Sequence, residues 1–211
     1  MVNNIGINTI AIKGGVIKSI KQYYNKKNAK IRSELAKINK MNWSKRLQNL
    51  KDKRFEIIKY HMHCISKYIV DWCVMHDIDT IIVGYNNNWK QEQLGMQNFT
   101  YIPYELFLYM LSYKSENVGI KCVTNEESYT SGTSFLDCEE PCKENYNKER
   151  RVHRGLFVSN KGIKINADVN AAYQIMKKVF PDVFSDGVEG VGLHPTIINF
   201  GNVNGTKVSI N

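Results

Sequence analysis

The 211-residue sequence predicts an α/β fold, and three observations carry that expectation. Two short β-branched runs, residues 79–84 and 120–123, have the composition of buried strands. Helical periodicity precedes each of them and follows the second. An extended-looking segment, residues 4–20, comes before the whole alternation. The length suits one ordinary domain with a sizeable core, and a hydrophobic content of 43% argues against disorder.

In chain order, Ile5, Ile7, Ile10 and Ile12, then Lys13-Gly14-Gly15 and Val16-Ile17, predict a β-hairpin turning at the glycines. Residues 26–76 predict two helices. Ile31, Leu35 and Ile38 stripe the first, and Leu47, Leu50, Ile58, Met62, Ile65 and Ile69 the second, with Ser44 placed to cap it. Asp79–Gly84 is the first inner strand and the polar stretch 85–98 a loop. Residues 103–117 form a helix broken at Gly119, and Ile120–Val123 a second strand. Residues 128–160 are irregular. Asn166-Ala167-Asp168 opens a last helix that Pro181 ends, and residues 185–211 form a Gly/Asn-rich tail with at most short strands.

Charge is concentrated. From Lys21 to Lys59 the chain carries 13 Lys and Arg against 3 Asp and Glu, a net of +10, while the rest has 16 basic against 17 acidic residues. Such a segment can neutralise phosphates, as nucleic-acid binders do; a solvated helical face is the competing interpretation. Apolar runs such as Ile78–Val83 are far too short to span a membrane. The first residues lack a basic region followed by an apolar one, so a cytoplasmic protein is the simplest expectation. Five cysteines, an odd number, without an export signal do not suggest a disulfide framework.

Several words in the sequence are more specific. Lys18-Ser19-Ile20-Lys21-Gln22-Tyr23-Tyr24-Asn25-Lys26 and Gly84-Tyr85-Asn86-Asn87-Asn88-Trp89-Lys90-Gln91 are two of them. Glu126-Glu127-Ser128-Tyr129-Thr130-Ser131 followed by Ser134-Phe135-Leu136-Asp137 is a third. Arg154-Gly155-Leu156-Phe157, Ile165-Asn166-Ala167-Asp168-Val169-Asn170-Ala171-Ala172 and Gly190-Val191-Gly192-Leu193-His194-Pro195 complete the set. In this order they resemble one branch of the OrfB/TnpB family of insertion-sequence transposases, from about Val2 to Pro195.

That resemblance implies an RNase H-like (RuvC-type) mixed sheet with flanking helices and an inserted basic helical hairpin at about 26–76. The implied nuclease domain covers residues 1–184, with a degenerate zinc-ribbon-like insert at about 130–163. The family activity it implies is RNA-guided DNA cleavage, with DNA and a guide RNA as partners and two Mg²⁺ ions held by carboxylates. Asp168 matches the family's last catalytic aspartate, with a helix N-cap as its alternative role. The family's second acidic position falls at Gly84, so Glu126 or Glu127 is the candidate for a relocated carboxylate, with an exposed acidic turn as the alternative. The word bearing the first catalytic aspartate lies upstream of the equivalent of Val2, which this chain's Met1 replaces. On this view the chain is truncated and its cleavage activity lost, leaving a nuclease-dead nucleic-acid-binding protein as the other reading. Cys138 and Cys142, with His153 as a possible third ligand, fall short of the four that structural zinc takes, so no zinc is expected. Lys26, Lys27, Lys30, Arg32, Lys45 and Arg46 are the candidate phosphate contacts. Trp89 and Tyr129 are candidate stacking residues, with partly buried packing as their default role.

Overall fold

The computed structural model describes residues 1–39, 43–86, 103–185, 187, 191–200 and 208–210. The expected loop beyond Asn86 and the stacking candidate Trp89 lie outside the described residues.

Strand β1 (Ile10–Ile12) leads directly into helix α1 (Gly15–Asn39). The β-hairpin expected over residues 4–20 is therefore not present. Gly14 and Gly15 start a helix instead of turning a ribbon. The reason is a longer period than the local alternation of isoleucines. Ile17, Tyr24 and Ile31 recur every two helical turns and are buried at 4, 6 and 6% exposure. Burying that stripe outweighs the turn tendency of Lys13-Gly14-Gly15, and β1 pairs elsewhere.

Helix α2 (Lys45–Met75) begins where Ser44 predicts, the Ser44 hydroxyl accepting from the Leu47 amide at 3.2 Å. It packs against α1 and against α3 (Tyr104–Glu116), burying Ile58, Met62, Ile69, Val70 and Cys73. Strands β2 (Thr80–Tyr85) and β3 (Lys121–Glu126) pair in parallel over all six residues, from Thr80 opposite Lys121 to Tyr85 opposite Glu126. A parallel pair needs a crossover, and α3 supplies it.

The insert after β3 is mostly irregular, with a 3₁₀ turn at Lys148–Arg150. Strands β4 (Leu156–Val158) and β5 (Lys164–Asn166) close it as an antiparallel pair that runs straight into α4 (Ala167–Val179). Phe135, Phe157, Ile165, Ala167, Val169 and Tyr173 form the core between insert and helix, with the Phe135 and Tyr173 rings stacked at 4.6 Å.

The stretch beyond 185 contributes to the core as well. Strand β6 (Thr196–Phe200) pairs in parallel with β1, and β7 (Val208–Ile210) in antiparallel with β6. Ile10, Ile198 and Phe200 are buried together against α2. The strands fall into three small sheets, ordered β1-β6-β7, β2-β3 and β4-β5. The molecule is thus mixed α/β, with a helical layer of α1, α2 and α3 beside the parallel pair. Among the described residues no helix is long and apolar enough to cross a membrane.

Candidate functional site

The carboxyl ends of β2 and β3 lie side by side, because their parallel register places Tyr85 opposite Glu126. Glu127 follows directly, its amide donating to the Tyr85 carbonyl at 3.2 Å. Its half-buried side chain turns over Gly84. A Cβ built on Gly84 would lie 3.2 Å from Glu127 Oε2 and 2.5 Å from Ile175 Cδ1 of α4. The Glu127 carboxylate and Ile175 thus fill the space that a side chain at 84 would need. Tyr104, at the start of α3, donates from its hydroxyl to the Gly84 carbonyl at 2.6 Å. Burial, with a smaller contribution from Glu126, pushes the Glu127 carboxyl above its ordinary value. Burial, followed by the charge of Glu127, pushes the Tyr104 phenol up to about 12. Along the other edge of β2 runs a cavity of about 250 Å³, lined by Thr80–Gly84 and bordered by Met1–Asn4, Trp72 and Ile175.

Glu126 differs from its neighbour. Its exposed carboxylate accepts from the Ser128 hydroxyl and lies 3.6 Å from Lys178 Nζ. The Ser128 hydrogen bond is the main reason its carboxyl sits below the ordinary value. Lys178 also donates to the Glu126 carbonyl at 2.9 Å, tying the end of α4 to the end of β3.

Asp168 occupies the first turn of α4. It is not the cap. Asn166 performs that role, its Oδ1 accepting from the Asp168 and Val169 amides at 3.0 and 3.1 Å. The Asp168 side chain is left 83% exposed, paired with Arg151 at 3.2 Å. Its charge also acts on the Met1 amino group, whose pKa burial lowers and Asp168 raises. Asp168 and Ile175 are seven residues apart on α4, roughly 10 Å along the axis. Asp168 therefore borders the opening turn of the helix, and Glu127 meets it about two turns later.

Cys138 and Cys142 of the insert are both free thiols. Cys138 is exposed with a φ of 56°, and its carbonyl accepts from Lys177 Nζ at 3.0 Å. His153 is exposed and bridges to Leu156 through the backbone. Among the described residues no three His, Cys, Asp or Glu side chains are placed to hold one metal ion. An ion pair organises the insert. Glu139 Oε2 accepts from Arg150 at 2.6 Å and from the Ser134 amide at 2.8 Å, and Glu139 Oε1 from Asn160 at 3.1 Å. Asn170 of α4 adds bonds to the Phe135 amide at 3.0 Å and the Thr133 carbonyl at 2.8 Å. Sequence reasoning missed this clamp. Tyr129 packs edge-on against Tyr146 at 6.0 Å.

Lys26, Lys27, Lys30, Arg32, Lys45 and Arg46 are all exposed on α1 and the first turn of α2. Lys27 Nζ lies 4.5 Å from the centre of the exposed Tyr23 ring. Arg46 pairs with Glu34 at 3.2 Å, a surface contact that water screens.

Residues 2–90 match the family model described as "Probable transposase", and residues 104–175 match "Cas12f1-like, TNB domain". No curated protein matches the chain. Among solved structures, the cryo-EM structure of a Cas12f1-sgRNA-target DNA complex is similar with a TM-score of 0.53 and 23% identity. That alignment covers 72% of this chain and 40% of the other, so the present chain spans well under two thirds of its relative's length. The two family-model matches, each over less than half of the chain, support the OrfB/TnpB family.

The packing over Gly84 makes a direct prediction. Gly84→Ala sets its Cβ against Ile175 Cδ1, the end of a side chain that can rotate aside, so the expected cost is modest, about 1 kcal/mol. Ile175→Val removes that methyl, so the double variant should recover most of the loss. Denaturant unfolding of the four proteins measures this; an unchanged midpoint for Gly84→Ala would contradict the contact.

Proposed function

We propose that this chain is a nucleic-acid-binding protein built on an RNase H-like (RuvC-type) domain, with DNA and a guide RNA as its partners. The observation that carries the proposal is the basic segment as a folded surface. Tyr24, Ile31, Leu47 and Ile58 of this segment are buried, although Ile38 of the expected stripe is 75% exposed, and six cations face solvent from α1 and the start of α2. A charge run without a buried opposite face would be a solvated tail; here the cations are displayed on two helices packed against each other. The parallel β2-β3 pair crossed by α3, with α4 against its end, supports the RNase H-like assignment.

The family reaction is hydrolysis of a phosphodiester with two Mg²⁺ ions, which activate water and stabilise the leaving oxygen when bound. Asp168 and Glu127 are the two carboxylates we assign to the ancestral ligand positions. Glu127 is preferred over Glu126, which is engaged by Ser128 and Lys178. Asp168 is paired with Arg151, and no third carboxylate joins these two among the described residues. Mg²⁺ takes near-octahedral oxygen coordination, and two ions need several converging carboxylates. The donor set does not fit that requirement. We therefore assign binding, and not cleavage, to the chain on its own.

The test is to incubate purified chain with single- and double-stranded DNA, Mg²⁺ or Mn²⁺, and guide RNA, while measuring affinity across a salt series. The expected result is binding that falls steeply with salt, and intact DNA. Metal-dependent cleavage abolished by Asp168→Ala would overturn the assignment of inactivity. Absence of binding at low salt would overturn the nucleic-acid reading altogether.

A further inference from the structure

A second cavity, of about 320 Å³, opens within the helical layer between α1, α2 and the start of α3. That volume is at the lower end for small-ligand pockets. Its apolar lining comes from the buried Ile58 with Leu106 and Pro103, and Phe55 lines it with a ring that stays 50% exposed. An exposed phenylalanine at the mouth of a hollow is a face available for stacking.

Two cations share this cavity, Lys21 from α1 and Arg54 from α2. Burial, and then the Arg54 charge, hold the Lys21 ammonium below its ordinary value. The exposed carboxylate of Glu105 stands at the same cavity, so among the described residues its lining carries two positive charges against one negative. The net of +1 complements one phosphodiester. A cavity combining an aromatic face, apolar walls and a net positive charge has the chemistry used for single-stranded nucleic acids, whose backbone follows cations while bases stack on aromatic rings.

We propose that this cavity is a pocket for one nucleotide of a single strand, its phosphate held by Lys21 and Arg54 and its base stacked on Phe55. The pocket rests on the nucleic-acid reading above and gives it a specific seat. Arg54 and Ile58 are four apart on α2 and share a face, so the phosphate grip and the apolar floor lie along one line of the helix. The pocket's Pro103 wall is followed in the chain by Tyr104, whose hydroxyl reaches the Gly84 carbonyl at 2.6 Å.

The experiment uses the full chain and short oligonucleotides carrying one 5-iodouracil base, in a DNA arm and an RNA arm that identify which strand is preferred. Irradiation followed by peptide mapping should place a crosslink on Phe55 in at least one arm. Phe55→Ala should remove that crosslink and weaken short-oligonucleotide binding about tenfold, the loss of one stacked base. Lys21→Gln with Arg54→Gln should abolish the crosslink, whereas the charge-matched Lys143→Gln with Lys148→Gln, two exposed cations of the insert, should preserve it. Phe55 is half exposed, so its variant is expected to fold, which circular dichroism checks. Crosslinks mapping only elsewhere, or a Phe55→Ala variant with unchanged affinity, would overturn the pocket. If long strands still bind in that case, the broader reading survives; if the unaltered chain binds no strand of any length, both fail.

Discussion

Reversing charge at Lys26, Lys27, Lys30 and Arg32 together is expected to weaken single-strand binding by on the order of 10³-fold at low salt. All four side chains are exposed on one helix, so the substitutions reverse its surface charge without opening the core. The ones that make local contacts lose little. Lys27 gives up its position over Tyr23, and Arg32 its hydrogen bond to Asn28 at 2.8 Å. A second signature is kinetic-free and harder to mimic. Each phosphate contact contributes roughly −0.7 to the slope of log K against log salt for a single strand, so the slope should become shallower by about 3. A variant that binds as tightly as the parent, with the same slope, would show that these cations are a solvated face and nothing more.

Removing Glu139 should have the largest effect on stability. The Glu139 and Arg150 side chains are only 15 and 17% exposed, and their contact at 2.6 Å is joined by the Ser134 amide and Asn160. Glu139→Ala strands a mostly buried guanidinium and two donors. The expected loss lies toward the lower end of the roughly 3–5 kcal/mol typical of a broken buried pair, because both groups keep some contact with water. Replacing both residues by methionine should recover much of the loss, since it leaves no unpaired charge. The pH dependence has a definite sign. Burial works to raise the Glu139 carboxyl, but the hydrogen bonds from Arg150 and Ser134 and the Arg150 charge outweigh it and leave it below its ordinary 4.5. The stability it supplies is therefore complete above the unfolded-state value near 4.5 and is lost as pH falls through the lower folded value. Thermal unfolding from neutral to acid pH should show that loss in the parent and a smaller one in Glu139→Gln. Identical acid profiles would remove Glu139 from the clamp.

What the sequence announces in advance is what is encoded locally. The run 79–84 appears as Thr80–Tyr85, and the run Ile120–Val123 overlaps Lys121–Glu126 from Lys121 onward, because β-branched residues between polar turns have few other uses. Ser44 before an apolar stripe and Pro181 after α4 mark boundaries by chemistry confined to a few residues. The start of α1 was illegible for the opposite reason: the stripe Ile17, Tyr24, Ile31 spans two turns per step, and two adjacent glycines hide it. Asn166 and Asp168 are both competent caps, and only the backbone path decides that the first is used and the second left exposed. The meeting of Gly84 with Glu127 depends on the register of two strands 41 residues apart, and the Glu139–Arg150 clamp on how an irregular insert closes. Neither leaves a periodic trace.

Because Gly84 and Glu127 draw on one volume, they cannot vary independently. A side chain introduced at 84 meets the carboxylate at 3.2 Å and the Ile175 methyl at 2.5 Å, whereas the same change made after Glu127 is shortened meets a looser neighbourhood. The cost of a substitution at one position is set by which residue stands at the other, a coupling that a double-mutant cycle reads directly. The order of changes then matters for any lineage that moves a carboxylate between these strands.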